Sequence, residues 1–263
     1  MKVGFWGNAN NSGISTAAIG CAIADIGIYC RNVVFLQTPF QNNVEFPLTG
    51  EKLDSEAFSD IGIDALIRDF RSQPITEEIF ISDGISLLGK KMNYFTSTRR
   101  KSEDKYVQDM NLTFANILNA IEKYTDDIIV DYGTDMGSYV IDSMKNLDVL
   151  VICLPQNVFY LDKFFENNFV EKLLGENDNL KVIYVILKYQ DDSRYSVKNI
   201  KKKYRIKKEL SVGINYCVEL MDAANEGRVI QYILKVLETE KDATPWAFMN
   251  SIKQIMEFII ERR

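Results

Sequence analysis

Five short apolar runs punctuate the chain, at 3–6, 33–36, 127–130, 149–154 and 182–187, and each is continuous rather than alternating. A strand with one wet face alternates apolar and polar residues. A continuous run suits a strand covered on both faces, as in a parallel sheet between helical layers. Helical spacing fills the intervals: 15–28 is rich in Ala and Ile, 63–70 carries apolar residues at helical spacing, and 112–124 places Leu112, Ala115, Leu118 and Ile121 along one side. Met92 to Phe95 reads as a short further strand, and Pro39 ends the second run. The βαβα order predicts a three-layer, doubly wound, mostly parallel α/β sheet with helices on both faces. The 263 residues suit one domain over 1–263, with a substantial core. The polar stretch 96–109 is expected to be an exposed loop or a helix edge. No repeat or Pro/Gly/Ser linker interrupts the pattern.

Composition removes several chemistries. The chain has no histidine, which excludes Ser-His-Asp, Cys-His and His-metal sites. Cys21, Cys30, Cys153 and Cys217 are not at metal-ligand spacing, and three lie in or beside apolar runs. Buried free thiols are expected, as in a reducing compartment. A net charge of -6 makes a poor generic binder of nucleic acid. No window reaches the roughly 18 apolar residues of a membrane span, and the N-terminus lacks a signal peptide's apolar core. A cytoplasmic location is expected.

Between the first run and the first helix lies Gly7-Asn8-Ala9-Asn10-Asn11-Ser12-Gly13-Ile14-Ser15-Thr16. Successive backbone N–H groups in such a loop form an anion nest, and the helix N-terminus adds partial positive charge. Gly13 permits a tight turn. Ser15 or Thr16 is placed to cap the helix, contact phosphate or hold Mg²⁺. Alone, this loop does not separate a phosphate site from a capped turn.

Further segments give it context. Asp127-Ile128-Ile129-Val130-Asp131-Tyr132-Gly133 resembles the strand-end aspartate segment of the ParA/MinD-like P-loop ATPases of the SIMIBI class, and Leu147 to Ile152 resembles that family's next strand. Arg31 to Asn43 resembles its second strand and loop. Val212 to Tyr216 and Asp222 to Val229 resemble its late strand and following helix. The resemblance runs over about residues 1–235. It implies a nucleotide site of Asn10, Asn11, Ser12, Gly13, Ile14, Ser15, Thr16 and Asp131, taking ATP or ADP with Mg²⁺ on Ser15 and Asp131 if nucleotide binds at all.

The departures are as informative. Where the family loop has its two lysines, this chain has Ala9 and Ile14. Gln37 and Pro39 stand at the second-strand aspartates, Lys188 at the asparagine near the base, and Asn215 at the late proline. Catalysis of phosphoryl transfer is mainly positioning and charge stabilisation, so these losses imply a pseudo-ATPase. The resemblance is nearest to the CpaE/TadZ-like branch. It implies a regulatory or scaffolding role at a pilus or secretion assembly, and a homodimer.

Two alternatives stay open. One is a working Mg-ATPase that draws a cation from Lys2, Arg99, Arg100 or a partner subunit. The other is a nucleic-acid-binding partition protein using Lys198, Lys201, Lys202, Lys203, Arg205, Lys207 and Lys208, flanked by Tyr195 and Tyr204. A solvated helix face is the plainer reading of that cluster. The C-terminal stretch 245–263 reads as an amphipathic helix with Trp246, Met249, Ile252, Ile255, Met256 and Ile259 on one side, ending in Arg262-Arg263. Docking against the sheet is expected, with a membrane surface or a partner groove as the other outcomes. Asp83, Asp104, Asp191 and Asp192 read as solvated and receive no role.

Overall fold

The computed structural model describes residues 1–41, 44–51, 60–177, 179–206, 210–238 and 244–261. Of the positions singled out above, Asn42, Asn43, Lys207, Lys208, Arg262 and Arg263 lie outside the described residues.

The strands are β1 (Lys2–Gly7), β2 (Val33–Gln37), β3 (Ile85–Leu87), β4 (Met92–Phe95), β5 (Asp127–Gly133), β6 (Val149–Pro155), β7 (Lys181–Tyr189) and β8 (Leu210–Asn215). They form one sheet in the order β3-β4-β2-β5-β1-β6-β7-β8. Every neighbouring pair is parallel except β3 with β4. The helices are α1 (Ile14–Tyr29), α2 (Glu45–Thr49), α3 (Ile63–Ser72), α4 (Glu77–Ser82), α5 (Glu103–Ile121), α6 (Ser138–Met144), α7 (Val158–Phe165), α8 (Phe169–Glu176), α9 (Val197–Tyr204), α10 (Val218–Asn225), α11 (Val229–Glu238) and α12 (Thr244–Ile260). The doubly wound α/β architecture expected from the apolar runs is the one observed.

The continuity of those runs has a direct cause. Val3 and Phe5, Val33 and Phe35, and Val149, Val151 and Cys153 enter one core with α1, α11 and α12. Trp6, Val34 and Leu36, and Leu150, Ile152 and Leu154 enter a second core with α3, α5 and α6. Side chains alternate across a strand, so a strand feeding two cores must be apolar at every position. β1 pairs with β5 on one side and β6 on the other. The chain therefore winds outward in both directions from β1, and a crevice opens at the C-terminal end of that strand.

The terminal helix docks as expected. Phe248, Met249, Ile252, Ile255, Met256 and Ile259 are buried in the core that α1 shares. Ser251 Oγ donates to the Gly213 carbonyl of β8 at 2.7 Å. The apolar face expected for a membrane surface or partner groove is thus occupied within the chain. Among the described residues, no helix is long and apolar enough to cross a membrane.

Three sequence expectations need correction. Stretch 96–109 does contain a helix edge, since α5 begins at Glu103, capped by the Ser102 side chain, but its first residues Thr96, Ser97 and Thr98 are buried rather than exposed. The buried stripe of α5 runs through Tyr106, Met110, Phe114, Ile117 and Ile121, leaving Leu112 64% exposed. Tyr106 sets that rotation, its hydroxyl donating to the Thr38 carbonyl at 2.6 Å. Asp83 is buried rather than solvated. Its own backbone carbonyl accepts from Gly62 N–H, which draws the residue under the start of α3. Of the four cysteines, Cys21, Cys153 and Cys217 are buried free thiols and Cys30 is exposed. Burial pushes the Cys153 thiol up, away from reactivity.

Candidate functional site

The loop after β1 turns through two left-handed residues, Asn11 at φ 54° and Gly13 at φ 108°. Asparagine tolerates that region and glycine does so without cost to sterics. Gly13 is the N-cap of α1, and no side chain caps the helix. Ser15 and Thr16 fall inside the first turn, so the capping alternative offered for them does not hold. The first-turn N–H groups lack partners within the helix, as at any N-terminus. A methyl group at Gly7 would run into the Cys153 carbonyl oxygen and the Ile14 side chain, whereas one at Gly13 would meet nothing within 4 Å. Gly7 is therefore fixed by close packing, and Gly13 by backbone conformation beside open space.

That space is a cavity of about 830 Å³. Asn10, Asn11, Ser12, Gly13, Ile14, Ser15 and Thr16 all line it. Ser12 is only 5% exposed, and its Oγ has no hydrogen-bond partner. A buried unpaired hydroxyl costs free energy, and this oxygen is closed off from the open cavity, so a ligand would reach it only if the loop shifted. Asn10 Oδ1 accepts from Thr134 Oγ1 at 2.6 Å, tying the loop to the end of β5.

Asp131 lies beneath the loop and is fully buried. Gly133 N–H donates to its Oδ1 at 3.0 Å, Gln37 Nε2 to its Oδ2 at 3.2 Å, and the Ser15 hydroxyl lies close enough to favour its charged form. Burial pushes the Asp131 carboxyl up from its ordinary value, and these three donors oppose the shift. Ser15 and Asp131 are thus neighbours, but of the expected site residues Asp131 alone is not among those lining the cavity. Two oxygen ligands suit Mg²⁺ only with phosphate and water completing the shell. Among the described residues, no group of three or more His, Cys, Asp or Glu could hold a metal ion by itself.

Gln37 is occupied at both ends of its amide. Its Oε1 accepts from Tyr94 OH at 2.7 Å and from Val44 N–H at 3.2 Å. Fully buried and so bonded, it is a structural linker between β5, β4 and the start of α2. This network left no periodic trace in the sequence. The cations considered as substitutes are also engaged. Arg99 pairs with Glu45, and Arg100 with Asp64 and Asp109. Lys2 pairs with Glu122 at the opposite end of β1 from the loop.

The remaining wall comes from the ends of β7 and β8. Lys188, Asn215, Tyr216 and the exposed Met221 line the mouth, and Ile19, Leu220 and Phe248 line an apolar interior. On α9, Lys198, Lys202 and Lys203 are exposed, as is Arg205 at its C-cap. Lys203 pairs with Asp162, and Tyr204 stacks on Phe165 with ring centroids 4.4 Å apart, which covers one of its faces.

A sheet in this order, with a glycine-bearing loop leading from its central strand into a helix, defines a P-loop NTPase fold of the ParA/MinD type. Solved structures agree. A ParA family ATPase from Chlorobium tepidum superposes with a TM-score of 0.74 at 14% identity over 98% of both chains. The cell division ATPase MinD of Pyrococcus furiosus gives 0.69 at 12% identity, again over 98% of both chains. MinD of Pyrococcus horikoshii, solved in complex with Mg-ADP, gives 0.61 at 10% identity over 100% of this chain and 98% of that one. At such identities the likeness concerns the fold. In sequence, the chain is 27% identical over 167 residues to an uncharacterized protein of Methanocaldococcus jannaschii, a match spanning 62% of this chain and 63% of that protein. No protein-family model matches the chain.

Proposed function

We propose that this chain is a weakly nucleotide-binding, non-catalytic ParA/MinD-like protein with a regulatory or scaffolding role. The observation that carries the reading is a loop without any Lys or Arg from Gly7 to Thr16 whose residues Asn10 to Thr16 all line the cavity at the N-terminus of α1. Backbone N–H groups of the loop would hold a phosphate oxygen without a cation, and Ser15 and the buried Asp131 behind it would be the oxygen groups nearest a metal ion. A bound Mg²⁺ would supply counter-charge to the phosphates.

Turnover asks for more than binding. Positioned positive charge stabilises the transferring group, and at Ile14 the side chain is apolar. Gln37, already bonded to Asp131, Tyr94 and Val44, is not free to orient an attacking water. The loop is thus a degenerate Walker A segment, and its nucleotide acts as a ligand rather than a fuel. Homodimerisation and placement at a pilus or secretion assembly follow from the sequence resemblance and form part of the same proposal.

The test is calorimetric titration with Mg²⁺ and ATP or ADP, with phosphate release followed in the same samples. Weak binding without release is expected. Release that disappears in Asp131→Asn would sink the non-catalytic reading. Absence of binding by any nucleotide would remove the nucleotide and leave a protein scaffold.

A further inference from the structure

Lys188 is the one Lys or Arg among the described residues that line the cavity. It gets there through a break in the sheet. β7 pairs Leu187 with Ile214 and Tyr189 with Asn215, and Lys188 is the extra residue at the irregularity between them, at φ 51°. A bulge re-aims the side chain it carries. Here both Leu187 and Lys188 line the cavity, while Tyr189 packs into the opposite core.

Asn215, beside it at the end of β8, is constrained differently. Its Nδ2 donates to the Tyr189 carbonyl at 3.3 Å and to Asp191 Oδ2 at 3.2 Å. Both amide hydrogens are committed, and only Oδ1 remains for a ligand. The mouth therefore offers a cationic donor with no acceptor capacity, next to an acceptor whose donor end is spent. β7 and β8 are two and three strands from β1, so Lys188 and Asn215 stand about 10 and 14 Å across the sheet from the loop. That separation fits a nucleotide with its phosphates on the loop and its base at the mouth.

We propose that Lys188 and Asn215 select a 6-oxopurine base, so that the cavity takes a guanine nucleotide in preference to an adenine nucleotide. The proposal rests on the reading that the cavity binds a nucleotide. Guanine presents O6 and N7, both acceptors, which a lysine can meet together. Adenine presents a donor at N6 and is read by an asparagine amide using both its ends. Lys188 cannot accept from N6, and Asn215 cannot give the second hydrogen bond. Asn215 Oδ1 is instead suited to the N1–H of guanine. Leu220 and Met221 on the same wall supply apolar surface for the ring faces.

The experiment is calorimetric titration of the full chain with Mg²⁺ and GDP, IDP or ADP, repeated with Lys188→Asn. Asparagine tolerates the left-handed backbone at this exposed site, so the variant should fold, and a thermal melt checks that it has. GDP and IDP should bind roughly tenfold or more tighter than ADP, since one good lysine contact to O6 and N7 discriminates by about that much. Lys188→Asn should abolish or reverse the preference. ADP binding as tightly as GDP overturns the base assignment and leaves the nucleotide reading standing. A GDP preference that persists in Lys188→Asn overturns the role of Lys188. Absence of binding by all three ligands overturns both this proposal and the reading beneath it.

Discussion

Replacing Gln37 with methionine tests whether this residue is a structural linker. The change keeps approximate volume and removes both ends of the amide. Tyr94 OH and Val44 N–H lose their acceptor, and Asp131 loses one of its donors. Leaving a buried donor unsatisfied costs about 1–3 kcal/mol, and a hydrogen bond to a charged group contributes about as much. Gln37→Met should therefore destabilise by about 4 kcal/mol. Tyr94→Phe alone should cost about 1 kcal/mol, because Gln37 Oε1 keeps its bond from Val44. In the double variant the orphaned phenol is gone, so its cost should fall short of the sum by about 1–2 kcal/mol. Urea denaturation of the four proteins gives the cycle. Additivity within about 0.5 kcal/mol would refute the linkage, as would a Gln37→Met cost below about 1 kcal/mol.

Three further perturbations probe other parts of the structure. Burial, with the neighbouring Asp69 carboxylate second, pushes the Asp83 carboxyl up to about 7, against about 4 for an unfolded chain. Its contribution to stability is then full below about pH 4 and is lost as pH rises through about 7. Asp83→Asn should gain on the wild type in urea midpoint between pH 4 and pH 8, and a flat difference would count against the buried carboxyl. Gly13→Ala should cost about 1–2 kcal/mol from backbone strain alone, whereas Gly7→Ala, which drives a methyl into the Cys153 carbonyl and Ile14, should cost more; equal thermal shifts would contradict the distinction. Phe248→Ala removes a fully packed ring between α12 and α1 and should cost about 3–5 kcal/mol, and a loss below about 1 kcal/mol by denaturation would mean that α12 is not docked as described.

Much of the fold was legible because burial on two sides leaves a one-dimensional signature. Each of the five apolar runs became a strand, since a strand between two helical layers has no position at which water selects a polar side chain. The loop after β1 was legible as a turn into the first helix, because its glycine and asparagine residues are those that accept left-handed backbone. Asp131 was legible through its place at a strand end, and the absence of histidine and of loop lysines needed no structure at all.

Other features were decided only in three dimensions. Gln37, Tyr94 and Asp131 come from three different strands, and no spacing in the chain announces that they share hydrogen bonds. Leu112 has the periodicity of a buried residue, yet Tyr106 turns α5 so that it faces water. Asp83 looks like any loop aspartate until the Gly62 contact draws it inside. Lys188 sits at the end of an apolar run, and a β-bulge aims it into the cavity. The sequence by itself determined which segments must be buried and where the glycine-bearing loop lies, because hydrophobic burial and local turn chemistry are written residue by residue. Tertiary structure alone decided which polar groups meet, because a hydrogen bond between strands far apart in the chain depends on register and packing that no local pattern encodes.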